Sequence, residues 1–340
     1  MKGAVYLGGS EIEVREFPRP EPGPGEVLVE MKSAGLCGSD LHKYHNDRAW
    51  AEERKGMIAG HEPAGVVAEL GPDVGNVSIG ERVCVYHSLG CGHCRYCLSG
   101  EPVFCADEGA FGRTRDGCHA DFMLAPARHC LHLPDELSFD VGAMLACTAC
   151  TAFAALRKLP VQAGDTVAVF GLGPVGLTGL LMAQAIGCRG IGVEVSSYRI
   201  DLARRLGCDL LVNAHDSDAP EAIMDFTDGQ GADGILECSG APVARTQTGA
   251  AAAKHGHIVI VGAGADEVLL AERAILGKEL TIQGNAVFSM QSYFEAVEFL
   301  MTHSLPLDDM VTHRLEIEQA PEAFALFDTG DTGKVVFAWP

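Results

Sequence analysis

Positive charge is scarce in this chain. Lysine and arginine together number 25 against 46 aspartates and glutamates, and the 340 residues carry a formal net charge of -21. A partner such as nucleic acid or an anionic membrane requires a positive face, so that balance argues against both. The N-terminus, "MKGAVYLGGSEIEV", has no apolar h-region, so no secretory signal is expected and a cytoplasmic location follows. Structural disulfides are unusual in that compartment. The 13 cysteines therefore need another account, and metal binding leads. No low-complexity tract or internal repeat is present, and no long amphipathic helix precedes about residue 140. Thr166 to Cys188 lacks any charged residue and has the length of a membrane span. However, Gly171, Gly173, Pro174, Gly176 and Gly179 cluster there after a β-branched run, which reads as a buried strand, a glycine turn and a buried helix.

What is present points to two domains of an α/β protein. Hydrophobic residues at 47% and charged residues at 21% are ordinary for a globular chain. The first part is β-rich: "EVLVEMKSAG", "AGVVAEL" and "ERVCVYH" are short apolar runs bounded by Gly, Pro and charge, and "PRPEPGPGE" is a turn-rich connector. From Thr151 the pattern changes. "DTVAVFGLG", "RGIGVEV", "CDLLVNA", "GADGILECSG" and "HGHIVIVGAG" read as strands alternating with helices, which predicts a doubly wound parallel sheet. The tail from about Asn285 offers an amphipathic helix, "MQSYFEAVEFLMTH", and a strand, "GKVVFAW".

Gly171, Gly173 and Gly176 spell G-x-G-x-x-G between a strand and the helix opened by Pro174 and Val175. The first glycine permits a tight turn, the second lets backbone approach a pyrophosphate, and the third lets helix and strand pack closely. The next strand ends at Glu194, 21 residues after Gly173, placed to accept from ribose hydroxyls and to repel a 2′-phosphate. That favours NAD over NADP. Arg199, five residues further, touches the same ribose or is a solvated helix charge. A packing turn in a cofactor-free sheet is the alternative reading of the glycines.

Cys91, Cys94, Cys97 and Cys105 give C-x2-C-x2-C-x7-C, a four-thiolate set suited to a closed, structural zinc site; an iron–sulfur cluster uses related spacing. A sparser group, Cys37, Ser39, Asp40 and His42 in "GLCGSDLH" with His61 and Glu62 in "AGHEPAG", offers two ligands of an open site. Asp40 is the candidate acceptor for the second N–H of His61.

"CGSDLH", "GHEPAG", the four-cysteine lobe and "GLGPVG" followed by Glu194 occur in that order, and together they resemble the zinc-dependent medium-chain alcohol dehydrogenase family along essentially the whole chain. The resemblance implies a GroES-like catalytic domain at 1–150 and 286–340 and a Rossmann NAD-binding domain at 151–285. It also implies two zinc ions per subunit and hydride transfer between NAD and a primary or secondary alcohol, polyols, cyclitols and sugars included, through a zinc-bound alkoxide. Cys147 in "CTACTAFAAL" matches the third ligand of the catalytic zinc beside Cys37 and His61, with Glu62 alternating as the fourth. Thr151 falls at the start of the interdomain helix, among the cofactor contacts, and Cys150 falls near the nicotinamide. Ser39 matches the hydroxyl that meets the substrate oxygen, His42 the solvent end of a proton relay, and Lys334 a basic residue near the pyrophosphate. Gly38 stands where the liver-type pattern has Arg. Tyr86 and His87 fall where the family lines its substrate pocket, and Trp50 and Phe111 are further pocket or core candidates. The family forms homodimers and homotetramers. Two other classes stay open: a thiol-redox protein using Cys147 and Cys150, and a non-catalytic NAD-binding protein.

Overall fold

The run "EVLVEMKSAG" forms the strand Glu26–Gly35, the spine of a seven-stranded sheet in the computed structural model, which describes residues 1–54, 56–208, 210–264 and 272–340. It pairs antiparallel with Glu62–Leu70, Phe122–Pro126 and Lys334–Ala338. Arg82–Val85 and Cys130–His132 extend the sheet beyond Glu62–Leu70, and Val311–Leu315 lies parallel to Lys334–Ala338 at the other side. Strand alternation sends Val27, Val29 and Met31 into a core shared with Phe111, Phe324 and Phe337, all at 2% exposure or less. Each such side chain contributes about 1.5–3 kcal/mol by leaving water.

Two helical segments follow from local chemistry. Cys37 has extended backbone angles and caps Gly38–Tyr44; its N–H donates to the Asp40 carboxylate at 3.1 Å, the return bond of a capping box. Ser138 caps Phe139–Ala146 by accepting from the Val141 N–H at 3.1 Å, and Cys147, at φ -149 and ψ -69, separates that helix from Thr148–Leu156.

The second unit is built on a six-stranded, wholly parallel sheet of Thr166–Phe170, Arg189–Glu194, Leu210–Asn213, Ala232–Glu237, Ala252–Ile260 and Thr281–Gly284. Taken in sequence order, they lie 3-2-1-4-5-6 across the sheet, the doubly wound order of dinucleotide-binding folds. The sixth strand, "TIQG", is short and half polar, so periodicity does not reveal it. The uncharged stretch 166–188 resolves into the first strand and the helix Pro174–Ala185. Among the described residues no single helix is long and apolar enough to cross a membrane.

By packing, Met1–Thr148, Ser289–Tyr293 and Val311–Pro340 form one unit, and Ala149–Phe288 with Phe294–Met310 form the other. The tail expected at 286–340 is therefore divided. Within the helix Met290–His303, Tyr293 donates its hydroxyl to the His132 carbonyl at 2.7 Å, whereas Phe299 packs on Phe153 with ring centroids 5.6 Å apart.

Gly171 has φ +86, and a Cβ placed on Gly176 would lie 1.8 Å from the Gly171 carbonyl oxygen. The turn and the helix start thus share backbone contact that no side chain fits. Gly176→Ala is expected to lower stability by about 1–3 kcal/mol, as overpacking does. Urea unfolding followed by circular dichroism measures this, and an unchanged midpoint would contradict the close packing.

Candidate metal and cofactor sites

Three segments far apart in sequence meet in the first unit. One ligand atom from each of Cys37, His61, Glu62 and Cys147 lies within 4.8 Å of the other three. Cys37 stands at a helix cap, His61 and Glu62 at the start of the strand Glu62–Leu70, and Cys147 at the break between two helices. Asp40, fully buried, accepts from His61 Nδ1 at 3.0 Å, which leaves Nε2 as the nitrogen able to hold a metal. The same carboxylate accepts from Tyr6 Oη and from Lys43 Nζ, each at 3.3 Å. Burial opposes its charge, but the His61 and Lys43 cations outweigh that and hold it well below the usual carboxylate range. Reciprocally, burial alone would lower His61, yet Asp40 raises it to about 10.

Glu62 is also fully buried. Burial raises its carboxyl to about 7, against the pull of the Lys334 ammonium. Lys334 Nζ donates to Glu62 Oε2, to the Leu36 carbonyl at 2.8 Å and to Thr148 Oγ1 at 3.0 Å; Thr148 in turn donates to Glu62 Oε1 at 2.7 Å. At 0% exposure the Lys334 ammonium is engaged by a carboxylate, a carbonyl and a hydroxyl. Lys334 opens the strand Lys334–Ala338, and nothing in the spacing around it marks that pairing.

Ser39 Oγ lies 3.3 Å from His61 Nε2 and 3.5 Å from Cys37 Sγ, at the exposed side of the cluster. His42 is exposed one helical turn further on. His87 is buried, its ring centroid 5.3 Å from that of His61, and its Nδ1 donates to the Ala146 carbonyl at 2.8 Å. Burial and then the His61 charge lower it to about 4, so it is neutral at pH 7. Tyr86 and Phe111, at 0% exposure, belong to the interior: Tyr86 stacks on His87 and meets His129 edge-on, and Phe111 packs in the sheet core. Trp50 is half-buried and meets Tyr6 edge-on at 6.0 Å.

The second cluster brings the ligand atoms of Cys91, Cys94, Cys97 and Cys105 within 4.8 Å of one another. N–H groups of His93 and Cys94 lower the Cys91 thiol to about 6, whereas burial raises Cys97 to about 12. Cys150 is fully buried and belongs to neither cluster. A redox C-x-x-C requires an accessible thiol of low pKa, so the thiol-redox reading loses its support.

In the second unit, Glu194 at 5% exposure accepts from the N–H groups of Leu172 and Val195 at 2.7 Å and of Ser196 at 3.1 Å. The carboxylate has further lone pairs for hydroxyl donors. Gly173 caps the helix begun by Pro174 and Val175, and a Cβ there would meet only Arg199 Nη1, at 3.7 Å. Arg199 Nη1 is 3.9 Å from Glu194, so glycine turn, arginine and carboxylate form one group. Thr151 is nearly buried, and its carbonyl accepts from Asn285 Nδ2 at 3.4 Å.

Sequence reasoning missed Thr148, Tyr6 and Lys43. Lys43 had a signal, standing at i+3 from Asp40 on one helix face, and Thr148 adjoins Cys147. Nothing marks Tyr6, which arrives from another strand.

Residues 23–135 match the alcohol dehydrogenase GroES-like domain and residues 174–302 the zinc-binding dehydrogenase family. An uncharacterised zinc-type alcohol dehydrogenase-like protein of Escherichia coli, YphC, is 37% identical over 99% of this chain and 98% of its own. An L-threonine 3-dehydrogenase of Pyrococcus horikoshii is 34% identical over 97% and 95%. The solved structure of an alcohol dehydrogenase, TADH, from Thermus sp. ATN1 superposes with a TM-score of 0.90 at 26% identity, covering 99% of each chain.

Replacing Lys334 by Met strips Glu62 of its counter-ion and is expected to destabilise the first unit by about 3–5 kcal/mol, as loss of one partner of a buried pair does. Lys334→Arg should retain part of that stability. Thermal unfolding of both variants is the check, and equal stability of Lys334→Met and the parent would refute the pairing.

Proposed function

This chain belongs to the zinc-type medium-chain alcohol dehydrogenase family and is an NAD-dependent zinc oxidoreductase acting on alcohols; on that premise we propose that Cys37, His61, Cys147 and Glu62 hold the catalytic zinc and that Cys91, Cys94, Cys97 and Cys105 hold a structural one. The donor chemistry fits both. Four thiols leave no position for substrate, as a structural site requires. Two thiols, an imidazole and a carboxylate already engaged by Lys334 and Thr148 leave one position exchangeable. The observation that carries the reading is the convergence of these four side chains with Asp40 fixing the His61 tautomer. When bound, zinc supplies Lewis-acid polarisation that lowers the pKa of the substrate hydroxyl.

The protein's own residues supply the rest. Ser39 sits within hydrogen-bond reach of the cluster and is suited to take the hydroxyl proton, which passes toward solvent by way of exposed His42. NAD, when bound, would supply the hydride acceptor for the alcohol carbon, leaving the alcohol as a carbonyl compound. Gly171, Gly173, Pro174, Val175 and Gly176 form the pyrophosphate cradle, Glu194 and Arg199 the ribose end, and Thr151 a nearby contact of the nicotinamide half. The same carboxylate that accepts ribose hydroxyls repels a 2′-phosphate, which supports NAD over NADP.

The substrate we infer is a small secondary alcohol with a second polar group. Where an apolar aromatic would suit simple alcohols, this chain has neutral His87, its tautomer set by Ala146, with Nε2 as acceptor for a substrate hydroxyl or ammonium. L-threonine, named for the Pyrococcus relative, has that form. Assembly into homodimers or homotetramers is part of the proposal; the outer edge of Thr281–Gly284 carries no partner strand among the described residues, as a pairing edge would. So is a reducing, cytoplasmic setting, which keeps the ligand thiols available.

Zinc analysis is expected to give two ions per chain. Cys37→Ala or His61→Ala should lose one of them together with nearly all turnover, and activity in metal-free protein would overturn the mechanism. His42→Ala should lower kcat by about 10–100-fold, at or below the low end for general acid–base groups because it acts at the solvent end of the proton path. In an NAD-reduction screen over hydroxy amino acids, diols, polyols and aliphatic alcohols, His87→Phe should shift preference from the polar substrates toward the aliphatic ones. An unshifted profile would remove His87 from the substrate reading.

A further inference from the structure

We propose that the buried pair Glu237–Arg245 positions the nicotinamide half of the dinucleotide site, by fixing two loops at the carboxyl edge of the parallel sheet. The inference rests on the cofactor reading above and adds residues that the glycine fingerprint does not contain. Glu237 ends the strand Ala232–Glu237, beside Phe170, the residue before the fingerprint. It is fully buried, and Arg245, on the helix Pro242–Ala251, is 7% exposed.

The bonds show what the pair holds. Glu237 Oε1 accepts from the Ser239 N–H at 2.9 Å, the Ser239 hydroxyl at 2.5 Å and the Gly240 N–H at 2.9 Å. Glu237 Oε2 accepts from Arg245 Nε at 3.1 Å, and Arg245 Nη2 donates to the Gly262 carbonyl at 2.5 Å. One carboxylate and one guanidinium thereby link loop 238–240 to loop 262–264. Glycine lets the loops touch: a Cβ on Gly262 would lie 2.3 Å from Gly240 N, and one on Gly264 would lie 1.9 Å from Gly240 O. A Cβ on Gly171 would lie 2.8 Å from Ser239, so the fingerprint turn abuts the same assembly.

A buried ion pair is seldom the best way to stabilise a core, since apolar groups of the same volume do at least as well. Here every acceptor and donor bond beyond the pair itself goes to loop groups. Ligands of open parallel sheets bind outside the carboxyl ends of the strands. The Gly171–Gly176 turn and Glu194 serve the adenosine and pyrophosphate. The clasped loops lie on the other side of that turn, at the ends of the fourth and fifth strands, placed to offer backbone groups to the nicotinamide half.

The test compares two probes on the full-length, zinc-loaded protein: NADH, which needs both halves of the site, and AMP, which needs only the adenosine half. The variants are Glu237→Gln with Arg245→Met, which leaves no unpaired charge, and Arg245→Lys, which keeps the charge but loses the fork that reaches Gly262. The double variant should bind NADH about tenfold more weakly, with AMP affinity unchanged and KM for NAD raised, the scale of lost buried hydrogen bonds. Arg245→Lys should show a smaller loss of the same kind, and it decides the matter if the double variant does not fold. A purely structural role would change the melting temperature and move both probes or neither; either result, or unchanged NADH affinity in a folded variant, overturns the inference. Parent protein that binds AMP but not NADH would instead overturn the cofactor reading, and the inference with it.

Discussion

The Asp40 carboxylate is the constraint on which the metal cluster depends. It is fully buried yet charged, because four donors from three segments reach it: the Cys37 N–H, His61 Nδ1, Lys43 Nζ and Tyr6 Oη. One group thereby sets the start of the helix Gly38–Tyr44, the tautomer of His61 and the packing of the first strand against both. A neutral side chain of the same shape would keep the volume and lose the reason for Cys37 and His61 to face each other. Buried charge of this kind is costly unless every lone pair is answered, and here the answering groups are the architecture of the site.

A second buried network works beside the first. Lys334 comes from the last strand, Thr148 from the start of a helix and Glu62 from the start of the strand Glu62–Leu70, and they close a ring of donors and acceptors around one carboxylate. Glu62 is held by Lys334 and Thr148 while one of its oxygens lies within 4.8 Å of the ligand atoms of Cys37, His61 and Cys147. On the proposed zinc reading, that gives an exchangeable ligand a stable place to stand when it is off the metal. In the parallel-sheet unit, Glu194 has the corresponding place, held by three N–H groups while its remaining lone pairs stay available.

Much of the chemistry was legible beforehand, because it is written in local spacing. The four-cysteine lobe is a loop motif, and its ligands meet without help from distant segments. The glycine fingerprint joins a strand to a helix, and the alternation of "TVAVF", "RGIGVEV" and their successors is periodic. Other features left no trace in spacing. Lys334 matched a basic residue near a pyrophosphate, and its buried pairing with Glu62 is written nowhere in the spacing. Tyr86 fell at a pocket position and Phe111 at a pocket or core position, and spacing did not show that the fold buries both side chains completely. The division of the tail within Met290–His303 follows from Tyr293 and Phe299 facing different partners, which an amphipathic pattern alone does not distinguish.

The sequence by itself determined the inventory: a β-rich part, a doubly wound parallel sheet, two thiol-rich donor sets and a dinucleotide turn. These depend on short-range sterics, on hydrophobic period and on ligand spacing, all of which act within a few residues. Tertiary structure alone decided which ionisable groups became partners. Asp40 with Tyr6, Glu62 with Lys334, and Glu237 with Arg245 and the Gly262 carbonyl are matched by burial, not by neighbourhood in the chain. A charge removed from water must find its counterpart wherever the fold brings one, and only the folded chain says where that is.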